Sequence, residues 1–422
     1  LKAFNIAEGN PVYKAVDCVL YDKALTVLLM FPNGKQGACQ IPSSVTRIDD
    51  YALNSCAGLT SVNIPEKLKE IGMSAFANCY NLADVDFSEG LEIIGENAFY
   101  GCSALAGTIH LPQTVKLIGK WAFNYCSKID NIILPNGNTV IGEAAFSNTS
   151  VSNMIFPEGI TELGIPEAVG DFSIMDGCSK LTCVVLPSTL EKLRPFAVSS
   201  SRFATIYSNA LVPPVLVGYT ANSIVSSVMV PKGKAAEYEQ AWGDLYPMAD
   251  FVDVLPGAPE VAVSAIKWDV YSATGYPATP VRYQLSISTA SGSIVKDLIL
   301  DAEGVVDGTS VTAPASGSVT YAVSGISSGE YTYDLKGYAA EGQLVYAHTG
   351  DITVESTGID DVTLEDAGIC VSGNTISTRD GLEIKVYSFD GSLVAVTSGS
   401  VSLPAGMYVV MAGGKAMKIA IR

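Results

Sequence analysis

The stretch Ile64-Pro65-Glu66-Lys67-Leu68-Lys69-Glu70-Ile71 decides the fold, because the chain repeats it. One unit earlier it stands as Ile41-Pro42-Ser43-Ser44-Val45-Thr46-Arg47-Ile48, and one unit later as Phe87-Ser88-Glu89-Gly90-Leu91-Glu92-Ile93-Ile94. Further units open at Leu111-Pro112, Leu134-Pro135, Phe156-Pro157 and Leu186-Pro187, so that successive starts lie 23, 23, 24, 23, 22 and 30 residues apart. A fixed period of this length is the mark of a repeat architecture. The 30-residue step holds an insertion around Pro166 to Ser173.

Two apolar sets recur inside each unit. The first is Leu59/Val62/Ile64, echoed by Leu82/Val85/Phe87, Ile129/Ile132/Leu134, Val151/Met154/Phe156 and Leu181/Val184/Leu186. It ends in a period of two, which turns Val62 and Ile64 inward from a short strand and Asn63 outward. The second is Ile-Gly-x-x-Ala-Phe, from Ile71-Gly72/Ala75-Phe76 to Ile141-Gly142/Ala145-Phe146. Here glycine permits a tight bend, and the Ala-Phe pair is expected on a helical turn covering the opposite wall. One unit cannot bury its own apolar wall, but stacked units can, which makes the architecture a solenoid.

These residues resemble the BspA-like leucine-rich repeats found on surfaces of gut and oral anaerobic bacteria. Asn10-Pro11-Val12-Tyr13 through Val19-Leu20-Tyr21, then Phe31-Pro32-Asn33-Gly34, resembles that family's opening unit, with Cys18 where glycine is usual. Pro213-Pro214 to Val230-Pro231-Lys232-Gly233, with Tyr238 and Trp242, resembles its closing unit. The resemblance implies surface attachment or partner binding and names no ligand.

Pro256-Gly257-Ala258-Pro259 reads as a linker. Beyond it, β-type runs at 281–288, 293–300, 319–324, 331–339 and 345–354 suggest a sandwich, with Trp268 as an early core residue and Tyr331, Tyr333 and Leu335 on one face. The run from Tyr321 to Tyr331 resembles a fibronectin type III corner. After Ser356-Thr357-Gly358 a last unit begins. Its stretches Ile384 to Gly391 and Leu403 to Val410 resemble the C-terminal sorting domain of the Bacteroidetes type IX secretion system, although the usual Pro-Asn-Pro opening is absent. The expectation is therefore a leucine-rich-repeat solenoid of short parallel strands, turns and short helices over residues 1–255. Two all-β sandwich-like domains follow, at 256–356 and 357–422.

The 422 residues are 48% hydrophobic and 16% charged, with a net charge of −18. Such a surface repels phosphate backbones, which excludes nucleic acid as a partner. No apolar run approaches the ~20 residues of a membrane helix, and the longest, Ala24 to Phe31, reads as a strand. The chain opens on Leu1 within a repeat-like stretch, so a signal or anchor is expected to have been removed upstream, and the location expected is the outer cell surface or the medium.

Catalytic chemistry finds little to work with. Only two histidines are present, His110 and His348, in different units, and no nucleophile pattern, phosphate loop or zinc spacing accompanies them. No enzyme, metal or cofactor is expected. Cys56, Cys79, Cys102, Cys126 and Cys178 share one phase of the repeat, Thr149 taking one place, and so predict a ladder of small buried thiols or, alternatively, disulfides between neighbours. Nine cysteines leave at least one free thiol, and Cys183 should point out from its strand.

Outward strand positions stack into one broad face, the usual binding surface of a solenoid. The rungs read Ser61/Asn63, Asp84/Asp86, Thr108/His110, Asn131/Ile133, Asn153/Ile155 and Cys183/Val185. Asp84 and Asp86 sit together on this open face, an arrangement that suits a ligand surface better than a glycosidase cleft. We read Ser61, Asn63, Asp84, Asp86, Thr108, His110, Asn131 and Asn153 as the ligand-contacting set, on a face that runs from polar to apolar. The function expected is adhesin-like binding of a host or bacterial surface protein or glycan. A glycan-capture accessory of an uptake system and a structural spacer are the alternatives.

Overall fold

The computed structural model describes residues 1–421 apart from 165–172, 195–204, 218–224, 271–275, 302–303, 306–316, 324–325, 356–368, 373, 380, 389–391 and 413–414. The insertion after Gly164, the Ser324-Gly325 corner, the Ser356 junction and Phe389 to Gly391 thus lie outside the described residues.

The chain folds as a parallel β-solenoid followed by antiparallel sheets. Each repeat supplies two strands, one for each wall. On one wall, two-residue strands such as Glu70–Ile71, Ile93–Ile94, Leu117–Ile118 and Val140–Ile141 pair in parallel, with Ile71 beside Ile94 and Ile118 beside Ile141. On the other, strands from the Leu-x-x-Val-x-Ile set pair likewise: Leu59–Asn63 with Asp84–Asp86, Ala106–His110 with Lys128–Ile133, and Asn153–Ile155 with Cys183–Leu186. Between the walls lies one continuous core from Val19 to Tyr246.

The Ala-Phe segments do not form the helical turn expected of them. They run as consecutive tight turns, with Ala75 N bonded to Gly72 O and Ala77 N to Ser74 O. Alternate amides instead reach the next coil, as Phe76 N does to Ala98 O. Left-handed residues four apart make this possible: Ser74 and Asn78, Asn97 and Gly101, Trp121 and Tyr125, Ala144 and Asn148 all have φ between 52° and 72°. A helix would satisfy these amides within its own coil, whereas the turns use them to join coils. Stacking here is close enough that a Cβ on Gly119 would fall 2.5 Å from Glu96 N.

Side chains follow the same register. Phe76, Phe99, Phe123 and Phe146 form a stack with centroids 5.0, 5.2 and 5.9 Å apart. Beside it the cysteines form a ladder of free thiols: Cys79, Cys102, Cys126 and Cys178 donate to Leu53 O, Phe76 O, Phe99 O and Phe146 O at 3.1 to 3.2 Å. Thr149 fills its place with a hydroxyl donating to Phe146 O at 2.9 Å. Among the described residues, all nine cysteines are free.

Both ends of the solenoid are closed. The antiparallel strands Tyr13–Val16, Val19–Asp22 and Val27–Met30 begin it. At the far end the helix Ala235–Trp242, the one α-helix among the described residues, seals the core with Tyr238 and Trp242, both fully buried. Trp242 Nε1 donates to Pro214 O at 3.0 Å, and Asp253 Oδ1 accepts from the Ala235 amide at 2.7 Å.

A second core follows between a three-stranded sheet (Glu260–Ala262, Ala265–Val270, Gly317–Ala322) and a five-stranded one running from Gly304–Val305 to Leu344–Val354. Trp268, Tyr333 and Leu335 are buried in it, and Tyr331 packs against it while its hydroxyl bonds back to Ser327 O. A third core, around Ile384, Val386 and Val410, lies between a three- and a four-stranded sheet.

Candidate binding face

The outward rungs of the strand wall are not equivalent. Asn63, Asp84, Asp86, Thr108 and His110 are exposed, while Ser61, Asn131 and Asn153 are half-buried. The parallel register sets Ser61 beside Asp84 and Asn63 beside Asp86, then Thr108 beside Asn131 and His110 beside Ile133. Alternation within each strand explains the exposure, since Val62, Val85, Ile109 and Ile132 between these residues point into the core.

Three of the amides are engaged locally. Asn63 clamps the backbone of the previous coil, accepting from Ile41 N at 2.6 Å and donating to Ile41 O at 3.2 Å. Asn131 accepts from Ile132 N at 3.0 Å. Asn153 accepts from Thr182 Oγ1 at 3.0 Å and from Cys183 Sγ at 3.1 Å. The two carboxylates, Thr108 and His110 are left as the open polar group.

The apolar rungs are covered by the chain itself. Cys183 and Val185 point outward, and they are buried with Tyr207, Leu255, Tyr276, Ala278 and Val345 in a cluster that joins the solenoid to the second core. The tip of one hairpin of the sandwich is bonded across the face: Asn136 Oδ1 accepts from Leu344 N at 2.7 Å, and Glu158 N donates to Leu344 O at 2.8 Å. Tyr276 stacks edge-on against Tyr207 and shares hydrogen bonds with Asn209. Under this contact the Glu158 carboxylate accepts from Ser188 N, Ser188 Oγ and Thr189 N, while burial pushes its pKa up. Burial likewise pushes the Cys183 thiol up to about 11. The polar-to-apolar run of the sequence is thus an open segment followed by an internal interface.

A cleft of about 660 Å³ borders the interface, lined among others by Ser188, Asn209, Pro214 and His348. His348 stacks on Tyr333, with Nδ1 3.0 Å from its hydroxyl, and burial lowers its pKa. Among the described residues no group of three or more His, Cys, Asp or Glu is placed to hold a metal ion, and no helix is long and apolar enough to cross a membrane.

The BspA type leucine-rich repeat region matches in six copies, at residues 30–108, 46–169 and 106–212. The coils between residues 30 and 212 are thus similar to BspA-type repeats. Among solved structures, a leucine-rich cell surface protein of Faecalibacterium prausnitzii is similar at 17% identity over 53% of this chain and 75% of its own, with a TM-score of 0.34. The leucine-rich repeat protein of T. pallidum is similar at 20% identity over 57% and 95%, with a TM-score of 0.31. The pneumococcal vaccine antigen PcpA is similar at 17% identity over 60% of this chain, which spans half of PcpA, with a TM-score of 0.30. Comparison with curated proteins gives no match.

One further group of residues stands out only in the folded chain. Tyr100, Trp121 and Tyr125 lie on the turn wall of the coils, beside the buried Ala-Phe pairs. Their signal was phase: each precedes a buried Ala or Cys by one or two residues, as Tyr125 precedes Cys126.

Proposed function

We propose that this chain is a non-catalytic binding protein of a bacterial surface, which holds a protein partner on the open coils of its strand wall. The observation that supports this is the division of that wall. Asp84, Asp86, Thr108 and His110 stand exposed without a side-chain hydrogen bond to the protein among the described residues, while the apolar rungs beyond them are already occupied. BspA-type repeats add the expectation of surface display. The two carboxylates suit a partner with Lys or Arg in the matching place, where charge sets specificity and association rate. In this reading residues 1–255 carry the partner and residues 256–356 brace the wall. Residues 357–422, with their resemblance to a sorting domain, serve export or attachment.

The test is a screen of the intact chain against immobilised host matrix proteins, repeated with the Asp84→Asn/Asp86→Asn variant. A saturable hit should weaken at least tenfold in the variant, and should also weaken as salt shortens the screening length to a few ångströms, from ~10 Å at 0.1 M to ~3 Å at 1 M. A hit whose affinity is the same in both proteins contradicts the assignment.

A further inference from the structure

We propose that the turn wall carries a saccharide site, in a cleft of about 440 Å³ lined by Tyr100, Trp121, Tyr125 and the amides of Asn97, Asn124 and Asn148. This site lies on the wall built by the Ala-Phe segments and is independent of the Asp84/Asp86 face. Its volume falls within the ~300–1,000 Å³ of small-molecule sites, enough for a pyranose ring or two.

The cleft is built by the repeat. Backbone bonds from Asn97 N to Lys120 O and from Trp121 N to Glu143 O stack three coils at the strand spacing of about 4.8 Å, which sets equivalent side chains in columns. In one column stand Asn97, Trp121 and Ala144, and in the next Tyr100, Asn124 and Ser147. Ala144 leaves room where its neighbour carries an indole. Tyr125 is half-exposed and meets Tyr100 edge to face at 5.6 Å. The indole of Trp121 is held by Lys120, whose ammonium lies 4.5 Å from the ring centroid and pairs with the buried Glu143 at 2.6 Å. A ring fixed in this way loses little freedom when a ligand stacks on it.

The polar groups match hydroxyls. Asn148 Nδ2 donates to Asn124 Oδ1 at 3.0 Å, and Asn124 Nδ2 has no hydrogen bond to protein among the described residues. The Asp176 carboxylate, also in the lining, has none either. A carboxylamide offers a donor and an acceptor side by side, which a sugar hydroxyl uses together, and a carboxylate can accept from two vicinal hydroxyls. The C–H face of a pyranose supplies the apolar surface that Trp121 and Tyr125 need. A proline-rich peptide also docks on aromatic grooves, but it presents carbonyl acceptors to Asp176 where a sugar presents donors.

Intrinsic fluorescence reads this site directly, because two of the three tryptophans, Trp242 and Trp268, are 0% and 2% exposed and Trp121 is the accessible one. The intact chain is titrated with maltotetraose, cellotetraose, mannotetraose, N-acetylglucosamine tetramer and a proline-rich decapeptide, with acrylamide quenching as the readout. Tyr125→Asn removes a ring while keeping a residue that tolerates φ of 61°, as Asn78 does at 60° in the coil two before. At least one saccharide should shield Trp121 saturably, and Tyr125→Asn should weaken it at least tenfold with thermal stability retained. Asp84→Asn should leave it unchanged. Shielding by the decapeptide alone, or by none of the five probes, overturns the proposal.

Discussion

Two residues show how far local backbone demands shape this chain. Asp17 and Cys18 form the two-residue turn of the opening hairpin with φ of 48° and 66°, a pair of left-handed positions for which glycine is the low-strain second residue. Cysteine there bears a Cβ penalty of about 1 kcal/mol. Cys18→Gly should therefore raise the melting temperature of the chain by a few degrees at most, read by circular dichroism; a fall would mean that the thiol has a packing role. Gly119 is the opposite case. Its missing Cβ leaves space for the coil before it, so Gly119→Ala must push backbone apart, and a loss of about 2 to 3 kcal/mol in urea unfolding is expected. The sequence displayed both sites, one as a departure from Asp-Gly and the other as the Ile-Gly step shared by four successive coils. Only the structure shows why the second cannot be altered.

At the scale of elements, the strand walls were legible because a period of two in Leu59/Val62/Ile64 and a repeat of 23 residues leave one parallel stack. The turn wall was not, since Ile-Gly-x-x-Ala-Phe suits a helical turn as well as a chain of tight turns. What separates them is the pair of left-handed residues four apart, and among these only Asn78, Asn97, Asn148 and Gly101 carry a sequence hint. The phenylalanine stack gives that wall its rigidity. Phe99 lies between two stacked rings and Phe87, so Phe99→Ala should cost about 3 to 5 kcal/mol, measured by denaturant unfolding. The thiol ladder makes a pH prediction. Burial raises Cys79 and Cys126 of the ladder to about 12 and Cys56 to about 11, and the strand residue Cys39 to about 12, above the 9.0 of a free thiol. The folded form therefore keeps protons that the unfolded chain releases. Stability should be level with respect to these groups below about pH 9 and fall between about pH 9 and 12, as urea midpoints across that range will show.

The whole molecule divides one surface between two uses. Nothing in Ile155, Cys183 and Val185 as a sequence distinguishes a ligand patch from the seat of a neighbouring domain, because the covering residues Tyr276 and Val345 lie far along the chain. That is why the apolar end of the ladder reads as part of a binding face. Glu158 marks the difference in retrospect: a carboxylate closed in by Ser188 and Thr189 belongs to a fixed contact. Its replacement by Ala would leave the Ser188 and Thr189 amides unmatched beneath the interface and would free Ser188 Oγ, which also donates to Ala347 O on the sandwich, so Glu158→Ala should loosen the sandwich on the wall, seen as a larger radius of gyration in solution scattering. An unchanged radius would mean that the apolar cluster alone holds the contact.

The division of the strand wall is tested most directly by the reactivity of one thiol. Cys183 lies beneath the sandwich at 5% exposure, whereas Cys18 at the opening hairpin is only half-buried. In the intact chain a maleimide reagent followed by peptide mass mapping should modify Cys18 and spare Cys183. In the Tyr276→Asp variant, where a charge is forced into the cluster, Cys183 should become reactive while Cys79 and Cys102 stay protected in the solenoid core. Labelling of Cys183 in the intact chain as fast as Cys18 would mean that the apolar rungs are open, and the account of the wall would be wrong.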